Sequence, residues 1–414
     1  MDARNTQPSL SRPWRKLAAV GLGLTLLLVM ELILRLVGFG GPGHRPDPFF
    51  GFSPHEPLFV PARSRERKPI YRTRPDRLGT FNMQSFEIHK APGTLRLFCL
   101  GGSSTFGFPF GAQHAFCADL EATLKEIHPD KRFEIINCGG MSYGSRRVLN
   151  IMREISHYQP DGFIVYMGHN EYVERRTFAA LLKEPTWRRT LRRSLNHVRL
   201  YVLAERLLQP FVQRTRVPAD NPYGVGPIRD DSLRLPRTVQ EDRLIEEHFR
   251  FVLGEMAEIS RTGGTALFLL NPASNLRDWA PEASTWSTQI GEKDRKLRDR
   301  LMAKSRSLQA RGLLQAARSA VEEALRLDGR AAASHFLHGR ILFQMGQYEA
   351  ARRAFQRARD LDAAPIRISS TLSQAIGETW RQRNLPNLDA EESMARTSPG
   401  GIVGHEMILD YCHP

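Results

Sequence analysis

Cysteine is scarce in this chain. Its 414 residues include only four, Cys99, Cys117, Cys138 and Cys412. None stands in a C-x-x-C spacing, which excludes the common zinc-binding patterns. Cys99 and Cys138 end two expected neighbouring strands, so a disulfide between them stays open; buried free thiols are the reading that the burial tendency of cysteine favours. Acidic residues are also short, 44 Asp and Glu against 59 Lys and Arg, for a net charge of +15. The imbalance is local. Residues 175–216 hold eleven Lys and Arg against Glu184 and Glu205. Such a run suits anionic lipid headgroups or acidic polysaccharide, and it equally suits an ordinary solvated helix face. No nucleic-acid motif accompanies it, so nucleic acid is not an expected partner. Apolar residues are not lacking. A hydrophobic content of 41% predicts a globular core, and the length has room for more than one domain.

Charge is absent from residues 17–30, and the apolar character continues to Phe39 despite Glu31 and Arg35. Those two stand at i and i+4 and can pair on one helix face near the headgroups. About 20 apolar residues span a bilayer, so residues 17–39 read as a transmembrane anchor. Arg4, Arg12, Arg15 and Lys16 precede it, and only Arg45 and Asp47 lie close behind. This asymmetry predicts a cytoplasmic tail at 1–16 and an exported, periplasmic remainder. No small-x-small site closes the apolar run, which favours an uncleaved anchor over a signal peptide. Residues 40–90 come next, rich in Gly, Pro and Arg up to Pro75, and read as an extended linker.

Strand and helix patterns then alternate. Strands are expected at 95–100, 133–136, 162–167, 266–270 and 385–388, and helices at 114–127, 145–158, 246–262 and 372–383. Fully apolar strands alternating with helices predict an α/β fold, a parallel sheet with helices on both faces. Residues 175–245 interrupt this order as a basic excursion, with Leu191, Leu195, Val198 and Val202 at helical spacing. Residues 298–365 interrupt it again with a repeat of period 34. Gly312 recurs as Gly346, Ala317 as Ala351, Ala320 as Ala354, Ala324 as Ala358, Leu327 as Leu361 and Asp328 as Asp362. With Gly339 and Phe355, the small and large residues match a tetratricopeptide helix pair. Two repeats are fewer than the three or so that stand alone, so they are expected to lean on the rest of the chain. They are also the expected place for a protein partner.

Four polar turns carry the chemistry. Gly101-Gly102-Ser103-Ser104 follows the first strand, Asn137-Cys138-Gly139 the second and Gly168-His169-Asn170-Glu171 the third; Asp410-x-x-His413 lies near the far end. A serine hydroxyl attacks only when a base takes its proton. His413 is the candidate base and Asp410 the residue that orients it. The oxyanion of an acyl-transfer intermediate needs donors, and the backbone N–H of Ser103, the backbone N–H of Gly139 and the Asn170 side chain are the candidates. Ser104 is expected to pack or cap, and His169 to line the site.

In these blocks the chain resembles the SGNH (GDSL-type) hydrolase family over residues 91–297 and 366–414. Gly101-Gly102-Ser103 stands for Gly-Asp-Ser, Gly139 for the second-block glycine, Gly168-His169-Asn170-Glu171 for Gly-x-Asn-Asp/Glu, and Asp410-x-x-His413 for the last block. Residues 271–276 also resemble those of anchored members with tetratricopeptide insertions. The resemblance implies a flavodoxin-like sheet, ester hydrolysis or acyl transfer, and neither metal nor cofactor. Gly102 departs from the family aspartate, which bears on loop geometry. The family's closing helix has no counterpart after His413, so a fragment or a less firmly held His413 is expected. The expected function is an anchored serine esterase that removes an O-acyl group, such as acetyl, from a glycan, lipid or small-molecule ester. An O-acyltransferase using the same acyl-serine and a non-catalytic scaffold that binds through the repeats are the alternatives.

Overall fold

A computed structural model describes residues 12–37, 39, 57–177, 191, 194–195, 198–208, 237–285, 287 and 290–414. The chain divides into two compact units. One is Met1–Asp47 with Ala180–Val217, and the other Pro48–Ala179 with Pro218–Pro414.

In the first unit, helix α1 (Arg12–Leu36) contains Lys16–Leu36, long and apolar enough to cross a membrane and unburied. Glu31 and Arg35 pair at 2.8 Å, as their spacing predicts. The Glu31 carboxylate also accepts the backbone N–H groups of Arg199 (3.0 Å) and Leu200 (2.9 Å). It thereby satisfies two of the donors left open at a helix start. Much of the basic run 175–216 and residues 40–56 of the expected linker lie outside the described residues. The expected stripe of Leu191, Leu195, Val198 and Val202 does not form one helix, because Val198 is not helical and a helix spans Arg199–Leu208.

The second unit is built on a five-stranded parallel sheet. Its strands are β4 (Thr94–Gly101), β5 (Arg132–Gly139), β6 (Gly162–Tyr166), β7 (Ala266–Asn271) and β8 (Leu388–Asp389), in the order β5-β4-β6-β7-β8. All four pairings are parallel. Phe98, Leu100, Ile136, Val165 and Leu269 face one side, where they meet helices at Ser145–Ile155, Val239–Gly263 and Ser370–Arg383. Cys99, Phe133, Ile135 and Ile164 face the other, against Phe116–Ile127. With both faces covered, each fully buried Leu or Phe contributes about 1.5–3 kcal/mol.

Two expectations change. Residues 57–90 are not an extended linker. They form an antiparallel sheet of β1 (Phe59–Arg63), β2 (Pro69–Thr73) and β3 (Ser85–Glu87). Leu58, Phe59, Phe81 and Phe86 enter the main core, and Glu154 accepts the N–H groups of Leu58 (2.7 Å) and Phe59 (2.9 Å). Exposed Pro61, Arg63, Pro69 and Arg72, interspersed along the strands, hid these anchors. A Cys99–Cys138 disulfide is also excluded. The β4–β5 register sets Cys99 against Asn137 and Leu100 against Cys138, so the two thiols lie on opposite faces. All four cysteines are free and buried.

Four helices, at Glu292–Ala310, Leu314–Leu327, Ala332–Gln344 and Tyr348–Asp360, carry the 34-residue repeat. A Cβ on Gly339 would lie 2.7 Å from the Phe355 ring, so the small residue sets that close approach. The repeat is also one of function. Asp328 accepts from Arg298 (3.0 Å) and the N–H of Arg330 (3.1 Å); its counterpart Asp362 accepts the N–H groups of Glu282 (2.8 Å), Ala283 (3.0 Å) and Ala364 (3.1 Å). Both aspartates are almost fully buried, and each ties down the chain just past its own helix. Leu342, Ala351 and Phe355 pack with Leu276 and Ile402, so the helices rest on loops of the sheet.

Candidate active site

Strand order reverses at β4: β5 lies to one side of it and β6 to the other. Crevices beyond strand C-termini at such a point are where ligands enter parallel sheets. Ser103 begins the single helical turn Ser103–Phe106 directly after β4. Gly168, His169 and Asn170 follow β6 at the same edge.

Ser103 and His413 are 310 residues apart in sequence, and the Ser103 hydroxyl lies 2.7 Å from His413 Nε2. On the other side of the ring, His413 Nδ1 is 2.5 Å from Asp410 Oδ2. Asp410 Oδ1 accepts the N–H groups of Cys412 (2.8 Å) and His413 (2.9 Å), which closes the tail into a tight turn. Burial pushes the Asp410 carboxyl up, but the His413 hydrogen bond and charge and these two N–H groups outweigh it, so its pKa lies below the ordinary value. The carboxylate stays ionised where an imidazole titrates, and it can stabilise an imidazolium as one forms. This geometry can draw the proton from Ser103 and turn a weak nucleophile into an active one.

The tail is firmly held, against the expectation for His413, which is 1% exposed. Ser104 Oγ donates to the Cys412 carbonyl (3.0 Å), so Ser104 locks the tail beside Ser103. The rings of Phe108 and Tyr411 meet the His413 ring edge-on at 5.1 and 5.2 Å. Asn275 accounts for the segment at 271–276. Its N–H donates to Tyr411 O (3.1 Å) and its side chain to Ile408 O (2.9 Å). The fully buried Arg367 in turn donates to Asn275 O (2.9 Å).

The candidate donors divide. Asn170 lines a small cavity together with Gly102, Ser103, Ser104, Tyr143, Tyr166, Met167, Gly168 and His169. Its amide donates to Tyr143 O at 3.1 Å. Gly139 does not line that cavity. Its N–H donates to Asn137 Oδ1 (2.9 Å), and Asn137 Nδ2 donates to Thr105 O (2.7 Å). A Cβ at 139 would lie 2.2 Å from Phe106 N, so this glycine exists for close packing against the serine turn. That corrects its expected place as an oxyanion donor. The segment that faces the serine turn comes a few residues later, where a Cβ on Gly102 would lie 3.2 Å from Tyr143 O.

Sequence reading missed the groups that hold this later turn. Ser142 takes a positive φ of 59°, rare for a residue with a side chain. Two buried carboxylates from the helix Glu171–Thr177 fix the turn around it. Glu174 accepts from Gly144 N (2.7 Å) and Arg147 Nε (2.5 Å). Glu171 accepts from Ser145 N (2.9 Å) and Ser145 Oγ (2.6 Å). Arg147 donates to Ser142 O (2.5 Å) and lies 4.0 Å over the Tyr143 ring. Burial, then the nearby Glu174 charge, pushes Glu171 up to about 7. The Glu at the end of the Gly-x-Asn-Glu block was the available signal.

Asp410, Cys412 and His413 offer ligand atoms within 4.8 Å of one another, the one such group among the described residues. The His413–Asp410 hydrogen bond accounts for that closeness. Burial raises the Cys412 thiol, away from the thiolate that a metal takes.

No protein-family model matches the chain, and no curated protein sequence matches it.

Proposed function

We propose that this chain is a membrane-anchored serine hydrolase of the SGNH (GDSL-type) class that cleaves a short acyl ester on a glycan, lipid or small molecule outside the cytoplasm. The hydrogen-bonded line Ser103–His413–Asp410 carries the reading, at 2.7 and 2.5 Å. Three polar groups, one of them about 310 residues from the others in sequence, have little reason to align at a strand edge unless the serine is to be activated. The strand order supports the fold class, since 2-1-3-4-5 is the flavodoxin-like order. The shared duty of Asp328 and Asp362 supports reading the four helices as a tetratricopeptide-like insertion. The Lys16–Leu36 segment supports an anchor, and the basic residues before it favour a cytoplasmic N-terminus with the hydrolase in the periplasm.

In this mechanism His413 Nε2 takes the Ser103 proton as Oγ attacks the ester carbonyl. The Ser103 N–H and the Asn170 amide stabilise the oxyanion. His413 then returns the proton to the leaving alcohol, and water releases the acyl group by the same steps in reverse order of roles. A fluorophosphonate probe tests the reading. Wild-type protein should label and should hydrolyse short-chain aryl esters, while Ser103→Ala should do neither and keep the wild-type circular-dichroism melt. An unlabelled wild type would sink the hydrolase and leave the scaffold.

A further inference from the structure

The hydrolase reading does not use His169, and the bonding of that ring is incomplete. His169 is 6% exposed and lines the cavity beside Ser103 and Asn170. Its Nδ1 accepts the Ile368 N–H at 3.1 Å. That bond fixes the tautomer, because an accepting Nδ1 leaves the proton on Nε2. Nε2 has no hydrogen-bond partner among the described residues. Buried donors are nearly always satisfied, so an unsatisfied one beside a cavity calls for a partner that arrives from outside. Burial, then the charge of His413, holds the ring pKa down to about 3. The group is therefore a neutral donor at working pH, and not a second base.

We infer that His169 Nε2–H is a substrate-recognition donor that takes an oxygen of the alcohol part of the ester, so that the preferred substrate is a small acyl ester of a polyol such as a sugar. This rests on the hydrolase reading above. The cavity measures ≈ 10 Å³, room for about one water-sized group such as a single oxygen. Its polar edges, Ser103, Asn170 and His169, suit an oxygen-rich alcohol better than an alkyl chain. A donor built to meet an oxygen discriminates against an analogue that lacks one, because the donor is then left buried and unpaired.

The test compares glucose pentaacetate, rich in acceptor oxygens, with phenyl acetate, which has none outside the ester. Each variant is referred to wild type on the same ester. His169→Phe should lower kcat/KM on the sugar ester about 3- to 10-fold, the usual worth of one neutral hydrogen bond, and change phenyl acetate less than twofold. His169→Gln, whose amide can accept from Ile368 and still donate, should recover most of the loss. Equal losses on both esters, or no loss on either, would overturn the inference and leave His169 a packing residue. If His169→Phe fails to fold, the ratio of the two esters in His169→Gln decides: at least half the wild-type preference supports the donor, and none refutes it. Wild type that neither labels with fluorophosphonate nor cleaves either ester defeats the parent reading, and this proposal with it. Wild type that labels but shows no dependence on His169 defeats this proposal alone.

Discussion

Gly102 stands where a side chain would meet Asn170. A Cβ there would lie 2.5 Å from Asn170 Nδ2, the far end of a side chain that can move. Gly102→Ala should therefore push the amide off Tyr143 O and away from the serine. We expect a fall in kcat with little change in melting temperature, read from ester turnover and calorimetry. Asn170→Ala removes the donor outright and should cost about 10²–10³-fold in kcat. Unchanged turnover in Asn170→Ala would show that the amide only braces the Tyr143 turn. At this scale the sequence already held the residue types. It named Ser103, His413 and Asp410, which the structure brings into one hydrogen-bonded line, and Asn170, which lines the cavity beside them, because residue types and their order are readable from sequence. It misassigned Gly139, since a glycine looks the same whether its lack of Cβ serves a ligand or, as here, Phe106.

The elements around the site carry a pH dependence. Glu171, on the helix after β6, is buried beside Glu174, Arg147 and Ser145, and its carboxyl rises from 4.5 to about 7. Over that window the folded state keeps a proton that the unfolded state releases. Its stabilising contribution is complete below about pH 4.5 and is lost as pH rises through about 7, on the order of 3 kcal/mol at most. Glu171→Gln, neutral throughout, should flatten this part of the profile. Melting temperatures at pH 5 and pH 8 check it: the drop should be smaller in the variant, and equal drops would remove Glu171 as the source. The main strands and helices were legible from apolar runs and the 3.6-residue period. Their ends shifted by a few residues, as β5 runs on to Gly139 and β8 shrinks to Leu388–Asp389. The sheet of residues 59–87 was not legible. Its anchors, Phe59, Phe81 and Phe86, are spread among prolines and arginines and find their core through distant rings, Tyr158, Tyr143 and Phe98.

For the whole molecule, the segment Lys16–Leu36 sets a clear expectation. Full-length protein should stay in the membrane pellet through high-salt and alkaline-carbonate washes and be released by detergent. Deleting residues 16–36 should move it to the supernatant. Release of full-length protein by salt alone would mean that charge, such as the basic run, holds it and not the helix. The repeat helices make a second global claim. Asp362→Ala removes the acceptor of three N–H groups at the join to residues 282–283, one buried and two part-buried donors left open. It should destabilise by about 2–4 kcal/mol, seen as a lower denaturation midpoint in urea.

What the sequence determined by itself was local: an apolar helix long enough to cross a membrane, the alternation that makes a parallel sheet, the 34-residue repeat and the residue types of the proposed site. Each is a pattern over a few turns of chain, where period and spacing alone decide which face is buried. Only the tertiary structure decided which of those residues meet. It joined Ser103 to His413, turned Cys99 and Cys138 to opposite faces, gave the Gly139 N–H to Asn137 and left His169 Nε2 buried without a partner among the described residues. Such encounters depend on strand order, register and the paths of connections hundreds of residues long, and no local pattern encodes the distance between two ends of a chain.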